Sequence, residues 1–174
     1  MCQLMGELTI QILATVIGGL VLAFLFFVSR EWIFPYPQFC GAWTSELTTH
    51  SSSYRPYDNM KVTYIVLLAQ EGAHLSGTGE KVEDQTAEGT HRYVGRHRVR
   101  IEISGYVTKR YLGTDEVTFH VTEFGKQRTS STVHMLKPKS HDRLSGRFIS
   151  TIADSTGEVH WVRGSREFKF AKTK

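Results

Sequence analysis

The sequence predicts an all-β fold, an eight-stranded up-and-down antiparallel barrel of the lipocalin-like type, preceded by one transmembrane α-helix. Two observations support this prediction. Residues 8–28 are uncharged and mostly apolar, and the chain from residue 41 onwards consists of short alternating segments separated by turn residues. Alternation with a period of two is typical of half-buried strands, and closure into a barrel removes exposed strand edges. A two-sheet sandwich of the same strands is the alternative fold.

The apolar segment is long enough to cross a bilayer. It holds 21 residues without a charged side chain, and a hydrocarbon core of roughly 30 Å needs about 20 helical residues. Its flanks lack the basic start and the small-residue cleavage pattern of a secretory signal peptide. The predicted organisation is a short N-terminal tail (1–7), a transmembrane helix (8–28), a juxtamembrane linker (29–40) and a β-barrel domain (41–174).

Charges on the two flanks predict the orientation of this helix. Glu7 is the only charged residue before it, whereas Arg30 follows it and the remainder of the chain holds 21 basic against 16 acidic side chains. Basic residues favour the cytoplasmic side, so the N-terminus is expected outside and the barrel in the cytoplasm. Gly18 and Gly19 permit close approach of two helices, so they are the expected contact in a homo-oligomer.

Alternating apolar and polar side chains predict four strands in the first half of the barrel domain. Pro35 and Pro37 keep the preceding linker extended. Glu71-Gly72 provides the turn between the second and third strands, and the fourth alternates most clearly. These strands are 41–49, 60–70, 74–83 and 96–110.

Four more strands complete the predicted barrel. The last three connections are short, which favours antiparallel neighbours. These strands are 116–124, 126–136, 143–152 and 158–170. Glycines within or at the ends of strands suit the strong coiling that barrel corners require. They are Gly77, Gly79, Gly95, Gly105 and Gly146.

Two motifs carry a family resemblance. Gly41-Ala42-Trp43 resembles the G-x-W with which lipocalin-type barrels begin. This resemblance implies that Trp43 closes one barrel end beneath Arg163 or Arg166 of the last strand. The segment 144–163, LSGRFISTIADSTGEVHWVR, is similar to the last hairpin of bacterial anti-phage effectors of CBASS-type defence. Those effectors join N-terminal transmembrane helices to a minimal eight-stranded barrel, and their best-known members have two such helices where this sequence has one.

The second resemblance implies a function as well as a fold. In that family the barrel senses a cyclic oligonucleotide made by a partner nucleotidyltransferase, and the effector then oligomerises and damages the inner membrane. The partners implied for this chain are the lipid bilayer, a small-molecule ligand and further copies of itself. No cofactor and no DNA or RNA polymer is expected.

A ligand site in such a barrel is expected to combine aromatic rings with polar groups at strand ends. Stacking on a base and Arg–phosphate hydrogen bonds would supply the affinity. The candidate ligand-binding residues are Tyr64, Tyr106, Arg110, Arg128 and Thr151. The apolar faces of the strands predict that the lumen is lined by Trp43, Tyr64, Ile103, Phe119, Phe148 and Ser150. The basic run 91–100 is either a phosphate-binding stripe or a solvated outer face.

The sequence offers no motif for catalysis or metal binding. It lacks C-x-x-C, H-E-x-x-H and a G-x-S-x-G elbow, and Cys2 and Cys40 lie on opposite sides of the apolar segment. A binding protein is therefore expected rather than an enzyme. One alternative is a membrane-tethered binder of a lipid or other apolar molecule with an open lumen. Another is a structural or interaction module with a filled barrel.

Overall fold

An N-terminal helix and a β-barrel make up the chain. The computed structural model describes residues 2–29, 35–110, 113–126 and 128–164, and the chain divides between Pro37 and Gln38 into two compact units. The helix, α1, runs over Cys2–Val28. It contains the stretch Ile10–Val28, whose mean hydropathy is 2.5. By length and composition this stretch is suited to cross a membrane.

The predicted helix contact lies on an open surface of α1. A Cβ added at Gly18 or Gly19 would meet no other atom within 4 Å. A backbone without side chains at these two positions leaves room for close approach by another helix. Arg30, on which the predicted orientation depends, lies outside the described residues.

A closed antiparallel sheet forms the second unit. Its strands are β1 (Gly41–Ser51), β2 (Lys61–Glu71), β3 (His74–Thr86), β4 (Gly89–Arg92), β5 (Val99–Thr108), β6 (Glu116–Phe124), β7 (Thr129–Ser140), β8 (Arg143–Ser150) and β9 (Thr156–Arg163). Each strand of the ring pairs with its neighbour along the chain, and β9 pairs with β1 to close it. The ring has eight strands because β4 pairs with the last four residues of β3, beyond the part that pairs with β5. The predicted up-and-down barrel is therefore confirmed.

Strand boundaries differ from the prediction where local geometry overrides alternation. The fourth predicted strand begins at Val99 rather than at residue 96, because Gly95 adopts φ 55° in a 3-10 turn. Residues 84–90, which follow the third predicted strand and were expected to form a loop, contain the end of β3 and the start of β4. β7 continues across Pro138, where a register shift accommodates a residue that has no backbone N–H. The predicted strand beyond residue 164, with Arg166, lies outside the described residues.

Large apolar side chains fill much of the barrel interior. Phe119 stacks on Trp161 with ring centroids 4.7 Å apart, and Trp43 lies 6.5 Å from the same indole. His134 packs edge-on against Trp161 at 6.0 Å. All six side chains predicted to face the lumen are buried, namely Trp43, Tyr64, Ile103, Phe119, Phe148 and Ser150. Over this part of its length the barrel is a packed core.

Glycine allows neighbouring strands to coil tightly around this core. Gly146 of β8 pairs with Leu136 of β7. A Cβ at Gly146 would collide with the carbonyl of Met135 and would lie 2.9 Å from the Cα of Leu136. Backbone rather than a flexible side chain blocks the position, so the strand has to move to accept any larger residue.

Substitution of Gly146 by Ala is expected to lower the free energy of unfolding by about 1–3 kcal/mol, because the added methyl group overpacks the β7–β8 contact. Urea unfolding of the full chain in detergent micelles measures this change. Ser145→Ala, which removes a half-buried hydroxyl from the next position, is the matched control and should change stability by less than about 0.5 kcal/mol. Equal stability of Gly146→Ala and the native chain would contradict the close strand contact.

Candidate functional site

One end of the barrel is sealed where the chain enters it. The Arg163 guanidinium lies 4.6 Å from the centroid of the Trp43 ring. Its Nη1 donates to the carbonyl of Cys40 at 2.6 Å, and its Nη2 donates to that of Gln38 at 2.8 Å. The Trp43 indole N–H donates to the carbonyl of Phe39 at 2.8 Å. These contacts join the first strand, the last strand and the residues before β1, and they close this end of the barrel over Trp43.

The opposite end of the barrel is an open mouth. Strands β1, β3, β6 and β8 finish there, and β2, β5, β7 and β9 begin there, which follows from the antiparallel order. The mouth holds a cavity of about 460 Å³. Small polar side chains, those of Thr49, Ser130 and Ser155, line part of this cavity together with larger apolar ones such as Met60 and Phe148. Packing therefore stops short of this end.

Five side chains of the mouth form a connected polar cluster, which we call the mouth cluster. Its centre is Lys81, whose Nζ lies 3.2 Å from Asp84 Oδ2 and 3.7 Å from Glu123 Oε1. Tyr64 donates its hydroxyl proton to Glu123 at 2.8 Å, and Tyr93 donates to Asp84 at 2.7 Å. The side chains of the lysine and of both acids are less than one-fifth exposed. With both carboxylates ionised, the mouth cluster carries one net negative charge.

The two phenols of the mouth cluster are held in their protonated form. Burial is the main cause that raises the pKa of Tyr64, and the negative charge of Glu123 adds to it. Burial also raises the pKa of Tyr93, with a further contribution from its hydrogen bond to Asp84. Both hydroxyls therefore remain donors at physiological pH and orient the carboxylates that accept from them.

Basic side chains lie at the outer rim of the mouth. Lys126 and Arg128 lie just before the start of β7 and line the cavity. Arg128 Nη2 lies 3.4 Å from the hydroxyl of Tyr57, which follows β1 in a short 3-10 helix. Aromatic rings and cations thus surround the entrance, and the acidic groups lie among the half-buried side chains below it. A site of this kind suits a ligand with a flat ring and an anionic group.

The structure brings only part of the predicted ligand site to the mouth. Tyr64 and Arg128 line the cavity. Thr151 lies at the same end, where its hydroxyl exchanges hydrogen bonds of 3.1 Å with the backbone of Ser131. Tyr106 and Arg110 do not belong to this site. Tyr106 is 46% exposed on the outer face of β5, and Arg110 pairs with Glu116 at the sealed end.

Sequence reasoning missed most of the mouth cluster. Glu123 continues the inward register of Phe119 and Val121 along β6, so strand parity was a usable signal for it. Asp84 gave no such signal. The register of β3 shifts between Lys81 and Glu83 opposite β2, and this bulge turns Asp84 inward at a position where simple alternation fails.

Apart from Tyr93, which lines the mouth cavity, the basic run 91–100 lies on the outside of the barrel and most of its arginines are paired. Three of its four arginines pair with glutamates of the neighbouring strand or of the same strand. The pairs are Arg92–Glu83 at 2.7 Å, Arg98–Glu80 at 2.9 Å and Arg100–Glu102 at 2.6 Å. These contacts favour the interpretation of the run as a solvated outer face.

The outer surface also carries a groove of about 550 Å³ above β6 to β9. Its side chains bear both signs of charge and neutralise one another in part, as Lys137 does with Glu116 at 3.5 Å. The groove is a face of the sheet, without the converging inward side chains that define the mouth. Across residues 2–29, 35–110, 113–126 and 128–164, no group of three or more His, Cys, Asp or Glu side chains is placed to hold a metal ion.

Comparison with known proteins gives relatives of the fold alone. No protein-family model matches the chain, and no curated protein matches it. Among solved structures it is similar to a de novo designed fluorescence-activating β-barrel, with 16% identity, coverage of 72% of this chain and 94% of that chain, and a TM-score of 0.50. A redesigned β-barrel shows 12% identity, covers 73% of this chain and 91% of its own, and has a TM-score of 0.47. The first of these similarities agrees with the closed eight-stranded ring.

Proposed function

We propose that the chain is a membrane-anchored binding protein whose barrel mouth receives a small ligand with an aromatic ring and an anionic group. A cyclic oligonucleotide second messenger is the candidate ligand. The supporting observation is the cavity of about 460 Å³, lined by Tyr57, Tyr64 and Tyr93 and rimmed by Arg128. Tyrosine rings stack on bases, arginine forks bind phosphates, and small-ligand sites have volumes of roughly 300–1,000 Å³.

The packed core favours this ligand over a lipid. Trp43, Phe119 and Trp161 are each no more than 1% exposed and fill the lumen beneath the mouth. An acyl chain would need a long apolar channel, and these rings occupy the path that it would take. The polar mouth cluster and the basic rim also suit a ligand with hydrogen-bonding groups better than a hydrocarbon chain.

The apolar helix α1 is the membrane anchor in this proposal. α1 holds the barrel at the inner membrane, with the N-terminus outside and the barrel in the cytoplasm, where a soluble second messenger is present. Ligand binding then promotes association between copies of the chain, with Gly18 and Gly19 as the helix contact. In this form the protein acts as an effector of anti-phage defence, through binding and assembly rather than catalysis.

Replacement of Arg128 by Ala is expected to weaken binding of a cyclic dinucleotide by about tenfold, the loss of roughly one charge-assisted hydrogen bond. The full chain in detergent micelles is titrated calorimetrically with a panel of cyclic di- and trinucleotides. Arg110→Ala is the matched control. Arg110 pairs with Glu116, much as Arg128 contacts Tyr57, but it lies at the sealed end. Absence of binding by every member of the panel would reject the nucleotide as ligand. An equal loss in both variants would reject the mouth as its site.

A further inference from the structure

We propose that Asp84 and Glu123 select the base of the ligand, and that the base they favour is guanine. This inference rests on the proposed function, because it concerns the chemistry of the same mouth. It assigns recognition of the base to the mouth cluster and recognition of the phosphate to the rim.

The charge of the mouth cluster is the first argument. Lys81 is the cation of the mouth cluster, and its Nζ contacts both carboxylates, at 3.2 and 3.7 Å. Each acid side chain is only 17% exposed, so solvent satisfies it incompletely. The two carboxylates carry more negative charge than the one lysine neutralises. A ligand group that donates hydrogen bonds to them therefore stabilises them. The mouth cluster therefore favours a ligand rich in N–H donors.

The hydrogen-bonding capacity of the carboxylates is the second argument. An ionised carboxylate only accepts, and its two oxygens offer about four acceptor positions. Both contacts of Asp84, those from Lys81 and Tyr93, use Oδ2. Glu123 receives Tyr64 on Oε2, and its Oε1 is 3.7 Å from Lys81. Acceptor capacity therefore remains on both side chains after the contacts inside the mouth cluster are made.

The arrangement of donors on the bases then decides between them. Guanine presents two adjacent donors, N1–H and the exocyclic amino group, which match the two oxygens of one carboxylate. Hypoxanthine keeps N1–H and lacks the amino group. Adenine places an unprotonated N1 beside its amino group, so its edge sets an acceptor against the carboxylate. A two-donor contact to an ionised acceptor is stronger and more selective than a single neutral hydrogen bond.

Selectivity in this arrangement depends on the mouth cluster and not on the rim. Arg128 and Lys126 carry positive charge at the entrance and meet the phosphate, which every nucleotide shares. The phenols of Tyr64 and Tyr93 donate to the two acids and hold them in place. Loss of a rim cation should then weaken all nucleotides alike, whereas loss of a carboxylate should weaken guanine nucleotides most, because they lose a two-donor contact.

Calorimetric titration of the full chain in detergent micelles with cyclic di-GMP, cyclic di-IMP and cyclic di-AMP tests the inference. Cyclic di-GMP is expected to bind about tenfold or more tightly than the other two, which corresponds to one additional charge-assisted contact. Equal affinities for the three would overturn the base selection and leave the proposed function intact. If neither these three compounds nor any other nucleotide binds, both the base selection and the proposed function are overturned.

Two substitutions locate the selectivity. Glu123→Gln and Asp84→Asn keep the side-chain shape and replace one acceptor by a donor group. Each is expected to reduce the preference for cyclic di-GMP over cyclic di-IMP to about threefold or less, with a smaller loss for cyclic di-IMP, because the remaining amide oxygen can still accept its single N1–H. Glu83→Gln, at the neighbouring position but paired with Arg92 on the outer face, is the control and should keep the full preference.

Retention of the preference in both mouth variants would overturn the assignment. Comparison of ligands on the native chain needs no variant and stays decisive if either substitution prevents folding.

Discussion

Substitution of Trp43 by Ala is expected to lower the free energy of unfolding by about 3–5 kcal/mol, as removal of a fully buried Trp usually does. Trp43 is completely buried at the sealed end. The change leaves a cavity, removes the hydrogen bond from the indole N–H to Phe39 and removes the ring beneath the Arg163 guanidinium. The guanidinium would keep its backbone acceptors but lose the ring that fixes its plane.

Chemical unfolding of the full chain in detergent, followed by the near-ultraviolet circular dichroism of the aromatic rings, measures this loss. Trp43→Phe separates the contributions, because it keeps an aromatic ring and removes the N–H donor. It should cost about 1–2 kcal/mol for the hydrogen bond and the smaller ring. A double-mutant cycle with Arg163→Met should give a coupling of about 0.5–2 kcal/mol for the cation–π contact. A Trp43→Ala variant as stable as the native chain would show that this end of the barrel is not tightly packed.

Acidification is expected to destabilise the barrel through His134. Its ring lies among Phe119, Phe148 and Trp161, and neither ring nitrogen has a hydrogen-bond partner among the described residues. These neighbours on β6, β8 and β9 are all uncharged. Burial therefore lowers the pKa of His134 to about 3 in the folded protein. In the unfolded chain the same group titrates near 6.5, as an ordinary histidine does.

The sign of the effect follows from proton uptake. Between pH 6.5 and 3 the unfolded chain binds a proton at His134 and the folded protein does not, so stability decreases as the pH falls through this window. The slope approaches about 1.4 kcal/mol per pH unit, which gives a loss of roughly 2–3 kcal/mol between pH 7 and pH 4.5. Stability from this group is complete above its unfolded pKa.

His134→Leu is expected to remove this component, because leucine fills the site without a titratable group. Unfolding curves of the native and His134→Leu proteins at pH 7 and pH 4.5 give the change in the free energy of unfolding for each. The contribution of the carboxylates is the same in both proteins and cancels in the comparison. Since the imidazole nitrogens find no partner in the described part of the chain, the apolar substitution should be neutral or stabilising at pH 7. His160→Gln, at a half-exposed histidine on β9, is the control and should keep the acid sensitivity of the native chain. Identical pH profiles for the native and His134→Leu proteins would refute the assignment.

Much of the fold was predictable because the barrel interior repeats with a period of two. The inward residues of β6, Val117, Phe119 and Val121, alternate with polar ones, and such a pattern predicts both the strand and its buried face. The short hairpin of β3 and β4 escaped prediction because it lies beyond the closed ring. β4 is exposed throughout, so no apolar alternation marks it.

The candidate site was less predictable than the fold, for two physical reasons. A polar residue near a strand end can face either side, and its identity alone does not say which. Tyr106 alternates with Gly105 and Val107 and therefore points outwards. The second reason is the bulge in β3, which reverses the inward register before Asp84 and depends on pairing between strands that are distant in sequence.

The residues that stabilise the sealed end differ from those that line the mouth. Trp43 and Arg163 secure the end at which the chain enters, whereas the mouth cluster and Arg128 belong to the far ends of the strands and their connections. Substitutions in those connections leave the packed aromatic core untouched, so their stability cost is small. The residues of the mouth can therefore change during evolution while the packed core and the sealed end stay the same.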